Sequence, residues 1–169
     1  MNNQDLPENK PSVSDGSSGS NQRPLIPPET ILKDYTDSAH KFLNLDSEGI
    51  DRTIKQLGTM PSYQSYDLEI WAWVVYFDIK ATPTNGDGKS FSGKAGGLSG
   101  LVGGKAWGTL YTDDVLTLFE NTKSFMFTAY GGVYEALYFY DKDHNLLGYI
   151  QAGGVTIAVG MAGGTGHWS

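Results

Sequence analysis

The sequence predicts an all-β domain, a compact barrel or sandwich, preceded by a polar N-terminal arm. Three observations point there. First, one stretch occurs twice: Ala95-Gly96-Gly97-Leu98-Ser99-Gly100-Leu101-Val102-Gly103 is echoed by Ala152-Gly153-Gly154-Val155-Thr156-Ile157-Ala158-Val159-Gly160. Each copy follows an aromatic pair and Asp (Tyr76-Phe77-Asp78, Phe139-Tyr140-Asp141), and each leads to Gly-Gly and a Trp, Trp107 or Trp168. Two β-rich halves of one domain account for this better than a solenoid of short units. Second, the composition is split, with only Tyr35 and Phe42 of the 21 aromatics before residue 63. Third, short runs of alternating or wholly apolar residues recur between turn signals from residue 63 onward.

Residues 1–29 are rich in Asn, Ser, Pro, Asp and Gly and hold almost no large apolar groups. Such a segment cannot bury enough surface to offset its ordering entropy, so disorder is expected there. From Thr30 to Leu57 the pattern is weakly helical. Ile31, Leu32 and Tyr35 fit one face, and Ile50, Ile54 and Leu57 fit another, after Ser47 as N-cap and before Gly58 as stop. The chain therefore divides into an arm, 1–62, disordered to weakly helical, and a β domain, 63–169.

Strands are expected at Ser65–Ala81, Lys89–Ala95, Gly97–Val102, Lys105–Tyr111, Ser124–Tyr130, Val133–Tyr140, Leu146–Ala152 and Val155–Met161, with the tail toward Trp168 closing the sheet. Asn85-Gly86-Asp87-Gly88, Gly131-Gly132 and Asp143-His144-Asn145 supply turns. Phe125, Phe127 and Ala129 share a face, as do Val133, Leu137 and Phe139 with Glu135, so that glutamate must lie at an edge or find a partner. One amphipathic helix, Thr112–Thr122, has Thr112 as N-cap, Asp113 and Asp114 at its positive end, and a stripe of Val115, Leu116, Leu118, Phe119 and Thr122. Such a helix plugs or covers a barrel end. The density of glycine implies tightly coiled strands around a crowded centre, with little room for an internal ligand.

The net charge is −7, divided as −3 over the arm and −4 over the rest, with no basic stripe, so nucleic-acid binding is not expected. Attraction to anionic lipid by charge alone is disfavoured at neutral pH. Absence of cysteine excludes disulfides, thiol catalysis and Cys-ligated zinc. Met1-Asn2-Asn3-Gln4-Asp5 has neither the cationic start nor the apolar run expected of a secretory signal, and no run reaches membrane-spanning length.

No constellation for catalysis, metal or cofactor emerges. Pro83 to Ser90 ends in Gly-Lys-Ser but lacks the first glycine and the following helix of a phosphate loop. Asp141-Lys142-Asp143-His144-Asn145 opens like a calcium loop, yet Leu146 and Ala152 stand at its required Gly and Glu. His40, His144 and His167 are scattered, and Ser99 lacks a nucleophile elbow. The aromatic run is different. Read as one strand, it places Trp71, Trp73, Val75, Phe77 and Ile79 on one face and Ile70, Ala72, Val74 and Tyr76 on the other. Either both faces are covered, one by the barrel and one by the N-terminal helices, or Trp71 and Trp73 offer an apolar patch to a partner or lipid.

From Ser99 to Ser169 the chain resembles the virulence-associated (Vap) protein family of Rhodococcus. The residues concerned are Trp107-Gly108-Thr109-Leu110-Tyr111-Thr112-Asp113-Asp114-Val115, Ser124-Phe125, Phe127-Thr128-Ala129, Gly131-Gly132, Phe139-Tyr140-Asp141, Leu147-Gly148, Gln151-Ala152-Gly153-Gly154 and the glycine-rich end at Trp168. Ser90-Phe91-Ser92-Gly93 also fits. The resemblance implies a closed eight-stranded antiparallel barrel of two Greek-key halves with one short helix, and no recognised active site or cofactor. It further implies export, to the cell surface or a host vacuole, and an effect on maturation of the host phagosome and endolysosome. The expectation is thus a non-enzymatic, monomeric effector that meets host membrane lipid or a host protein through its surface. A membrane-active toxin or lipid-binding barrel is the second reading, and a small-ligand-binding barrel or enzyme the third.

Overall fold

A computed structural model describes residues 29–73, 75–96, 103–130, 134–154 and 159–169. Eight strands run β1 Ser62–Ala72, β2 Tyr76–Pro83, β3 Phe91–Gly96, β4 Gly104–Tyr111, β5 Ser124–Tyr130, β6 Tyr134–Tyr140, β7 Leu146–Gly154 and β8 Val159–Trp168. They close into one antiparallel barrel in the order β1-β2-β3-β8-β5-β6-β7-β4. In each half, three consecutive strands are followed by a fourth that returns beside the first, β4 beside β1 and β8 beside β5. That is a Greek key. The two repeated stretches occupy equivalent places, leading from β3 to β4 and from β7 to β8.

The expected strand Ser65–Ala81 is two strands. The Trp73 amide donates to the Tyr76 carbonyl at 2.8 Å, the chain reverses, and Ala72 pairs with Phe77. An apolar run with no Gly, Pro or Asn concealed that turn. Expected strand Gly97–Val102 and residues 155–158 of the last one lie outside the described residues, as does segment 1–28. From Val159, β8 runs on to Trp168 and closes the barrel between β3 and β5.

Inward-facing Leu68, Ile70, Phe77, Ile79, Phe91, Leu110, Phe125, Phe127, Leu137, Phe139, Ile150 and Trp168 fill the interior. Glycine makes this filling possible. Gly93 and Gly166 pair across β3 and β8, and a Cβ on Gly93 would stand 2.5 Å from the Phe125 ring and 2.8 Å from that of Phe91. The rings take the volume that two side chains would have held.

The third helix, α3, spans Val115–Asn121 and closes one end. Its N-cap is Asp114, not Thr112. The Asp114 carboxylate accepts from the amides of Leu116 and Thr117 at 3.0 and 3.1 Å, while the Thr112 hydroxyl donates to the Leu147 carbonyl. Hydrogen bonds from the Thr117 hydroxyl and amide, with the Leu116 amide, hold the Asp114 carboxyl below its ordinary range despite opposing desolvation. Leu118 enters the core and Phe119 packs on Trp168. Leu116, expected in the apolar stripe, is 68% exposed.

Two helices precede the barrel, α1 Glu29–Leu43 and α2 Ser47–Leu57. Asp46, not Ser47, caps α2 by accepting from the Gly49 amide at 2.8 Å. Tyr35, Leu43, Ile50 and Leu57 lie on the outer surface of the second half, against Met126, Ala136, Tyr138, Tyr140 and Tyr149. The hydroxyls of Tyr35 and Tyr140 meet at 2.6 Å, and that of Tyr149 donates to the Leu57 carbonyl at 2.7 Å. These contacts explain why β5 and β6 are buried on both faces.

Glu135 finds no edge and, among the described residues, no partner. It faces inward on a closed barrel with Leu137 and Phe139, it is 0% exposed, and both carboxyl oxygens lack a hydrogen bond. Burial pushes its carboxyl up to about 7.

Candidate contact surface at one end of the barrel

The end opposite α3 carries the β1–β2 turn. Because the chain reverses there, Trp71 and Trp73 do not share a face with Phe77 and Ile79. Phe77 and Ile79 point into the core, whereas Trp71 is 45% exposed and Trp73 58%. Val75 and Tyr76 are 73% and 42% exposed, and the rings of Trp73 and Tyr76 stack with centroids 6.1 Å apart. The reading that the N-terminal helices cover this strand is overturned, since α1 and α2 pack on the opposite half. Four large apolar side chains thus crown one turn, held by the β1–β2 ladder behind them. A protein surface seldom clusters such groups without a use for them.

The surroundings are charged but balanced. Lys105 lies 3.2 Å from Glu69 and Lys94 3.8 Å from Asp78, on the outer surface of β4-β1-β2-β3. The turn therefore stands in a nearly neutral zone of an acidic chain. Beside Trp71 runs a shallow groove of about 520 Å³, lined by Asp78, Lys80, Ser92, Lys94 and His167 among others. Trp107 is also exposed, farther along β4 and opposite Asp67.

The other residues weighed for chemistry are not brought together. His40 lies on α1, His144 in the β6–β7 turn and His167 on β8. Asp141 is committed to its own turn, accepting from the amides of Asp143 and Asn145 at 2.8 and 2.9 Å. Pro83 to Ser90 is a hairpin connection with Gly86 and Gly88 at positive φ. Ser99 lies outside the described residues. Among those residues no group of three His, Cys, Asp or Glu side chains could hold a metal ion, and no helix is long and apolar enough to cross a membrane.

Comparison with known proteins gives a consistent result. A family profile described as Rhodococcus equi virulence-associated protein matches residues 21–169. The solved structure of VapB from the intracellular pathogen Rhodococcus equi is similar at 37% identity and a TM-score of 0.55, covering 63% of this chain and 96% of that one. That of VapD from the same organism is similar at 33% identity and a TM-score of 0.55, covering 64% of this chain and 100% of that one. Among curated proteins no match is found.

Proposed function

The chain belongs to the Rhodococcus equi virulence-associated protein family, and from that membership we propose that it is a non-enzymatic effector acting on host phagosome or endolysosome membranes through its surface. In this reading it is secreted or held at the cell surface, reaches the host vacuole and works as a monomer. One observation carries the choice of contact site: Trp71, Trp73, Val75 and Tyr76 are exposed together on a single turn.

Indole and phenol rings suit the boundary between headgroup and acyl chain, where an apolar body meets a polar rim. The ion-paired lysines flanking the turn keep the local charge near zero, so the acidic chain can present this end to a lipid surface without the repulsion its net charge would bring. The packed interior supports a surface role over a carrier role, because core side chains occupy the space a small ligand would need.

Co-sedimentation with neutral and anionic vesicles at pH 7 and pH 5 tests the proposal. Binding should be present for the native chain, greater at pH 5 as exposed carboxylates begin to protonate, and reduced tenfold or more in Trp71→Ala/Trp73→Ala. Equal binding by both proteins would remove the turn from the contact. Absence of binding by either would redirect the search to a host protein. Release of a trapped dye from the vesicles would favour the membrane-active toxin over a peripheral effector.

A further inference from the structure

Five inward positions form one row across the barrel wall: Gly160 on β8, Ala129 on β5, Glu135 on β6, Ala152 on β7 and Gly108 on β4. Four of the five have no side chain beyond a methyl group. The fifth is a carboxylate without a hydrogen bond, near the barrel end that α3 does not cover.

Among the described residues no cation answers it. From the strands at that end, the inward groups are Ile70 and Ala72 of β1, Phe77 of β2, Ala95 of β3, Ala106 of β4, Phe127 of β5, Ala162 of β8 and Gly154 of β7, none of them titratable. Lys94 and Lys105 lie across the wall on the outer surface, paired with Asp78 and Glu69. The stretches of sequence joining the strands at this end, 97–102, 131–133 and 155–158, contain no ionisable residue. A leucine at position 135 would complete the apolar interior at no electrostatic cost, so the carboxylate is an expensive choice unless its titration is used.

We propose that Glu135 makes this end of the barrel pH-responsive: with a neutral carboxyl the wall of β5, β6 and β7 is sealed, and with an ionised one it opens to admit water. Its cross-strand neighbours Ala129 and Ala152 carry only methyl groups, so no bulky side chain bars water from the carboxylate once the strand ends part. Burial that raises the carboxyl to about 7 places the change between an acidic vacuole and a neutral fluid. The sealed form belongs to acid. This inference stands apart from the membrane reading and survives its failure.

Amide hydrogen exchange on the full chain, corrected for the pH dependence of intrinsic exchange, tests it. Between pH 5.5 and pH 8 the amides of Ala129, Glu135, Ala136 and Ala152 should lose protection tenfold or more, while those of Leu110 and Phe139 nearer α3 hold theirs. In Glu135→Gln the loss should vanish. The same loss in both proteins, or none in the native chain, overturns the proposal. Should Glu135→Gln fail to fold, the carbon-13 shift of the Glu135 carboxyl in the native chain decides. A midpoint near 7 that coincides with the pH midpoint of the protection loss upholds the switch, and a midpoint in the ordinary carboxylate range, or one apart from the protection loss, overturns it.

Discussion

A methyl group at Gly93 would have to displace the rings of Phe91 and Phe125, which are fully buried and packed on each other. Gly93→Ala is therefore expected to lower stability by about 1–3 kcal/mol, read from the urea midpoint. Glu135 sets a second expectation. Its carboxyl is held above its ordinary value by burial, so the stability contributed by its neutral form is fully present below about pH 4.5, falls as pH rises toward about 7, and then levels. The loss attributable to this residue is about 3 kcal/mol, and Glu135→Gln should flatten it in urea titrations at pH 5 and pH 8. The inward position of Glu135 was legible from its alternation with Leu137 and Phe139. The missing partner was not, because which side chains meet across a closed barrel depends on register between distant strands. The paired tryptophans make the same point. Trp107 follows Gly104 by three residues and Trp168 follows Gly164 by four, and that single residue turns one indole outward and the other into the core.

Among the elements, α3 and the two N-terminal helices carry separate burdens. Leu118 is the buried residue that anchors α3 in the core, and Leu118→Ala should cost about 2–5 kcal/mol, visible as a lower Tm. Tyr35→Phe removes the partner of the buried Tyr140 hydroxyl and should cost about 1–3 kcal/mol. Limited proteolysis should leave a stable core that retains Tyr35, since cleavage beyond it would expose the tyrosine-rich wall beneath α1. The periodicities of Ile50, Ile54 and Leu57 and of Leu118 and Phe119 made α2 and α3 legible. Asp46 caps α2 where Ser47, of equal capping propensity, stands next to it, and Asp114 caps α3 two residues beyond Thr112, whose hydroxyl is committed to Leu147; only backbone geometry selects the cap. The β1–β2 turn was hidden for a related reason. Residues 70–77 are apolar throughout, so neither periodicity nor turn chemistry marks the reversal at Trp73.

At the scale of the whole molecule, duplication and asymmetry coexist. Two Greek keys of four strands close one barrel, yet the first half bares its outer surface with Trp71, Trp73 and Trp107, while the second lies beneath α1 and α2. One end is closed by α3, and the other bears the aromatic turn outside and Glu135 inside. The repeat announced the two halves, but nothing in it announced which half the helices would cover. If the aromatic turn is what meets host membrane, the indoles there must enter lipid while Trp107 and the buried Trp168 do not. The most direct measurement is fluorescence quenching by brominated lipid in vesicles at pH 5, comparing the native chain with Trp71→Phe/Trp73→Phe and with Trp107→Phe. Quenching in the native chain and in Trp107→Phe, with most of it lost in Trp71→Phe/Trp73→Phe, is the expected result. Quenching that survives replacement of both turn tryptophans would contradict the assignment of this end as the membrane contact.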